Sequence, residues 1–119
     1  MGLKYSKAGA TAQITINLIC REDAVSIPSA FTPNHDGHND MFYPMGKGIK
    51  AIDNFQVFDR WGRPVYSRQN IPVNTESYGW DGTTNGREMP PDAYVYILEV
   101  TCEITGERFM LKGTVVLIR

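Results

Sequence analysis

Tyr94-Val95-Tyr96-Ile97-Leu98-Glu99-Val100-Thr101-Cys102 is the stretch that decides the fold. Tyr94, Tyr96, Leu98, Val100 and Cys102 fall on one side of a two-residue period, with Val95, Ile97, Glu99, Thr101 and Glu103 on the other. That is the period of a pleated strand, whose successive side chains point to opposite faces. The pattern recurs outward along the chain. Ala12, Ile14, Ile16 and Leu18 interleave with Thr11, Gln13, Thr15 and Asn17, and Phe55 and Val57 alternate with Asn54 and Gln56. Phe109 to Ile118 is rich in β-branched and aromatic residues. Between these runs lie turn signals: Pro33-Asn34, Asp36-Gly37, Trp61-Gly62, Asp81-Gly82, Asn85-Gly86, Pro90-Pro91 and Thr105-Gly106. Hairpins are expected around Arg60-Trp61-Gly62-Arg63 and around Thr105-Gly106. No window shows a helical period. Short strands with frequent turns predict an all-β, immunoglobulin-like antiparallel sandwich of about seven strands.

The 119 residues suit one domain. Hydrophobic residues make up 42% and charged residues 21%, an ordinary globular balance. Lys plus Arg is 12 and Asp plus Glu is 13, a net charge of −1, which supplies no bulk attraction to nucleic acid or an anionic membrane. No apolar run reaches the roughly 18 residues of a spanning helix. Met1 to Ala10 lacks the basic-then-apolar pattern of a secretory leader, and Met1-Gly2 reads as a cloning start on a fragment. Thr11 to Leu18 reads either as the first strand of the sandwich or as the last strand of an upstream module.

Thr32-Pro33-Asn34-His35-Asp36-Gly37-His38-Asn39-Asp40 carries the densest chemistry. Calcium takes hard oxygen ligands from alternate residues of a tight turn. Asn34, Asp36, the His38 backbone carbonyl and Asp40 supply that spacing, and Gly37 permits the bend. Thr32 and Tyr43 stand where an EF-hand-type loop has its first and last carboxylates, so the cage is partial. Asp59 or Asp81 would have to complete it, and affinity would be weak, about 10⁻⁴–10⁻³ M. The competing reading is a loop stiffened by Asx-turns. Zinc is disfavoured, because His35 and His38 are the only histidines and the cysteines are remote.

Catalytic signatures are absent: no Gly-x-Ser-x-Gly, no phosphate-cradling glycine loop, no His spaced to serve a nucleophile. Trp61 and Trp80 share similar settings, Arg-Trp-Gly and Trp-Asp-Gly. They read as aromatic lids over turns, with sugar stacking as the functional alternative. Cys20 and Cys102 read either as a disulfide or as two buried small hydrophobes. A bond closing so long a loop would contribute roughly 4–5 kcal/mol at most and would imply an oxidising compartment.

A resemblance rests on motifs in order: Ile27-Pro28-Ser29-Ala30-Phe31-Thr32-Pro33-Asn34, Asp36-Gly37-His38-Asn39-Asp40, Phe58-Asp59-Arg60-Trp61-Gly62, Trp80-Asp81-Gly82, Tyr94-Val95-Tyr96 and the ending Gly113-Thr114-Val115-Val116-Leu117-Ile118-Arg119. From Val25 to Arg119 the chain resembles the gliding motility-associated C-terminal domain, the type B carboxy-terminal signal of proteins exported by the bacterial type IX secretion system. The resemblance implies a non-catalytic, monomeric sorting domain at the end of a large secreted protein, often an adhesin, attached at the cell surface. It implies the type IX secretion machinery and outer-membrane β-barrel proteins as partners, and no small-molecule substrate. Residues 1–24 then become an extension holding the tail of a preceding immunoglobulin-like repeat. The position of His35 is often Gly or Asn in that family, which suggests a positive φ.

The ending suggests where docking occurs. Thr114, Val116 and Ile118 alternate with Val115 and Leu117, so both faces of the last strand are apolar. A terminal edge strand can be read through main-chain pairing. Leu117, Ile118 and Arg119 are therefore the expected docking residues, with Arg119 as a charged handle.

Overall fold

Among the described residues nine strands form, in chain order β1 (Val25–Ser26), β2 (Ala30–Phe31), β3 (Met45–Gly46), β4 (Ile49–Phe58), β5 (Pro64–Ile71), β6 (Thr83–Thr84), β7 (Arg87–Glu88), β8 (Asp92–Cys102) and β9 (Arg108–Leu117). The computed structural model describes residues 24–37 and 39–119. The expected strand 11–18 and Cys20 lie outside the described residues, as does His38. The alternating stretch becomes β8, and its inward side chains Tyr94, Leu98, Val100 and Cys102 are buried as the period requires. A 3-10 turn, Glu76–Tyr78, lies between β5 and β6.

The principal sheet has the order β2-β9-β8-β4-β5. Both expected hairpins are present, β4–β5 and β8–β9, each antiparallel. Asn85 and Gly86, at φ 55° and 80°, close a further small hairpin between β6 and β7, the positive-φ pair that a two-residue turn demands. β1 and β3 make a second ribbon. The strand count exceeds the expected seven because five strands are two-residue pieces. The all-β, immunoglobulin-like architecture is as anticipated, with a thin second layer of ribbons and loops.

β4 departs from simple alternation. Ile49, Ile52, Phe55 and Val57 are all buried, although their spacing is not uniformly two. The register against β8 slips between Ile49 and Ala51 and again between Ile52 and Asn54. Each slip accommodates one extra residue, which flips the following side chains to the other face. Two bulges thus bring Ile49, Ile52, Phe55 and Val57 onto the core side.

Aromatic rings join the layers. Phe42 and Trp80 belong to the covering loops and exchange both backbone hydrogen bonds, each 2.9 Å. Phe42 sits 5.7 Å from Phe55 and 5.6 Å from Tyr96, and Trp80 sits 5.1 Å from Tyr94 and 5.4 Å from Phe31. Tilted and edge-on geometries like these satisfy the ring quadrupoles while burying large areas. Gly113 lies opposite Tyr96 across β8–β9. A Cβ there would come within 2.6 Å of the Tyr96 hydroxyl, so only glycine leaves room for that ring.

Candidate functional site

The motif-bearing segments converge on one end of the sheet, where Tyr94 marks the centre. Burial raises the pKa of its hydroxyl, Asp92 and Asp59 raise it further, and Arg119 opposes them. Charges far apart in sequence therefore act on one side chain.

The tip of the β4–β5 hairpin is built on Asp59, a buried carboxylate. One oxygen accepts the N–H groups of Trp61 (3.0 Å) and Arg63 (2.9 Å); the other accepts Nε–H of Arg63 (2.9 Å). The backbone closes the same turn through Asp59 N–H to the Arg63 carbonyl and Gly62 N–H to the Asp59 carbonyl. Burial alone would push the Asp59 carboxyl up, but the hydrogen bonds from Arg63 and Trp61 and the Arg63 charge hold it below the ordinary carboxylate range. Trp61 rides on this turn with 70% of its surface exposed. The Arg60 and Arg63 guanidiniums each lie over its ring, 5.5 Å from the centroid. Arg60 also pairs with Asp92 at 3.4 Å.

Arg119 is a staple. Arg119 donates Nε–H to the Met89 carbonyl (2.9 Å) and Nη2–H to the Gly82 carbonyl (2.9 Å), and Nη1 reaches the Pro33 carbonyl (3.5 Å) and Glu88 (3.6 Å). Gly82, at φ 84°, lets the backbone come this close: a Cβ there would meet Pro33 Cγ at 3.0 Å and Arg119 Nη2 at 3.2 Å. One guanidinium thus ties together the loops after β2, after Trp80 and before β8.

The loop after β2 is organised by Asp40. Its Oδ1 accepts N–H from Asn34 (3.0 Å) and His35 (2.9 Å), and its Oδ2 accepts from Gly37 (2.8 Å). The Asn34 side-chain oxygen accepts from Asp36 N–H at 3.2 Å, an Asx-turn. Desolvation pulls the Asp40 pKa upward, but the backbone donors of Gly37, His35, Asn34 and Asp36 outweigh it and hold it below the model-peptide value of 3.8. His35 adopts φ 65°, the left-handed conformation its position suggests.

The sequence-predicted residues therefore divide. Asn34, Asp36 and Asp40 do share one loop. Asp59 and Asp81, the carboxylates named to complete a calcium cage, are committed to their own turns: Asp81 accepts both N–H and Oγ–H of Thr83. Among the described residues no group of three or more His, Cys, Asp or Glu gathers as a metal site. Trp80 behaves as a lid, wholly buried with its indole N–H on the Thr83 carbonyl (2.9 Å). Trp61 does not, because Arg60 and Arg63 hold its ring out from the tip. Leu117 is 1% exposed and belongs to the core, so its side chain offers no docking surface. Ile118 is 48% exposed. The terminal edge is already paired, with Val116 N–H on the Ser29 carbonyl and Ile118 N–H on the Phe31 carbonyl. Cys102 is fully buried, and its proposed partner Cys20 lies outside the described residues. The exposed Trp61 cluster was the feature the sequence reading missed; the arginines flanking Trp61-Gly62 were its available signal.

A family model described as the CHU_C Type IX secretion signal domain matches residues 25–117. No curated protein matches the chain. Among solved structures the chain matches part of PorZ, described as an essential bacterial surface component of the type IX secretion system of Porphyromonas gingivalis, at 17% identity and a TM-score of 0.49. The match covers 82% of this chain but only 12% of that one.

Proposed function

Since the chain belongs to the type IX secretion signal domain family, we propose that it is a non-catalytic sorting module that takes a larger protein across the outer membrane and holds it at the cell surface. The attached protein is an adhesin in this reading, and the partners are the secretion machinery and outer-membrane β-barrel proteins. The family match carries the proposal: it spans the domain from β1 to the end of β9. The convergence of the motifs on one end supports it, because a signal with no linear charge or apolar address has to be read as a folded surface.

Fusing the whole chain behind a reporter bearing a general export leader tests this in a host with a working type IX system. The reporter should become accessible to protease added outside the cells. It should stay in the periplasm when the system is deleted. Periplasmic retention in the competent host would overturn the reading.

A further inference from the structure

The hairpin tip holds a group that the fold does not require. Trp61 packs against no core residue group, yet its position is fixed on three counts. The Asp59 carboxylate clamps the turn beneath it at 2.9–3.0 Å. Two guanidiniums lie over the ring, each 5.5 Å from its centroid. Asp92 steadies Arg60 from the start of β8 at 3.4 Å. An exposed aromatic held this firmly has little rotamer freedom left to lose on binding.

We propose that Trp61, Arg60 and Arg63 form an anchor that docks a carboxylate-bearing, partly apolar segment of a partner protein. This names a partner chemistry for the sorting module and rests on that reading. The charges choose between occupants. The side chains of Arg60 and Arg63 are 59% and 72% exposed, whereas those of Asp92 and Asp59 are 25% and 6% exposed. Cations face outward and anions inward, so two positive groups balance two negative ones. A polyanionic membrane is drawn by a net excess of several Lys or Arg, which this tip lacks. A short-range carboxylate, in contrast, can take the planar fork of a guanidinium directly: Arg63 gives Nε to Asp59 and retains its terminal N–H groups for a ligand. The indole meets the apolar neighbour of that carboxylate. Trp and Arg are also the residue types that dominate binding energy at protein interfaces.

The test uses the whole-chain fusion with Trp61→Ala, Trp61→Phe and Arg60→Gln, and melting curves of each purified chain. Trp61→Ala and Arg60→Gln should lower surface display about tenfold or more. Trp61→Phe should retain part of it. Melting temperatures should stay within about 4 °C of the parent, as for surface changes. Unaltered display of Trp61→Ala overturns the anchor while leaving the sorting role intact; a parent fusion that is not displayed overturns both. A photoreactive benzoylphenylalanine at position 61 supplies the chemistry. Adducts should map to a partner segment containing Asp or Glu, and mutating that acid should remove them. Adducts on lipid, or flotation of the parent but not Trp61→Ala with phosphatidylglycerol vesicles, would overturn the protein partner.

Discussion

Arg119 shows how a residue's type can be legible and its job not. An arginine at the end of a strand invites reading as a surface handle, and a surface handle should be replaceable at less than about 0.5 kcal/mol. Its guanidinium instead holds the carbonyls of Met89, Gly82 and Pro33, with its side chain only 21% exposed. Charged hydrogen bonds of this kind contribute about 1.5–3 kcal/mol each in favourable cases, less where water competes. Arg119→Ala is therefore expected to cost about 2 kcal/mol, with Arg119→Glu costing more because it sets a carboxylate against three carbonyl oxygens. Denaturant unfolding measures this; a change inside about 0.5 kcal/mol would return Arg119 to the surface role. Asp40 is the parallel case, since its oxygens are filled by backbone N–H groups. Calcium at this loop, proposed from the spacing of Asn34, Asp36 and Asp40, would be an added brace. At the weak affinity expected, millimolar calcium should raise the melting temperature by a few degrees by mass action. Identical curves in calcium and in chelator would leave the N–H cage as the whole account.

Among elements, β8 and the two large hairpins were legible because local alternation and turn chemistry determine them. The β4 bulges were not, because a bulge is set by what the partner strand needs opposite it, not by the bulged strand's own period. The parallel pairing of β2 with β9 was also hidden: Ala30-Phe31 is too short to show a period, and its register depends on a strand at the far end of the chain. That pairing changes how the terminus can be tested. Removing Leu117 along with Ile118 and Arg119 deletes a core side chain, so failure to export would report unfolding and not recognition. The disulfide also belongs at this scale. Cys102 ends β8 with no exposed surface, and bonding to Cys20 would tie the N-terminal extension to the sheet. Thiol titration of oxidised protein in denaturant should find no free thiol. Two thiols per chain would mean the cysteines are unpaired and the extension is untethered.

Over the whole molecule, the sheet and its aromatic core hold the fold, while the motif end is held largely by carboxylates. Asp59 locks the hairpin tip and Asp40 locks the loop after β2, and both titrate below the ordinary carboxylate value. The sign follows from linkage: a carboxyl depressed in the folded state binds its proton more readily when unfolded. Its stabilisation is complete above the unfolded value, near 3.8, and is lost as pH falls through the lower folded value. The melting temperature should therefore fall below about pH 4, and the loss should be smaller in Asp40→Asn and Asp59→Asn, which are already weakened at neutral pH. Hydrogen exchange should locate the effect, with amides of Asn34, His35, Gly37, Trp61 and Arg63 losing protection before those of β8. Parallel pH profiles for parent and variants would refute the assignment. So would uniform loss of protection across the sheet, because acid would then be acting on the domain as a unit and not on the end these two carboxylates organise.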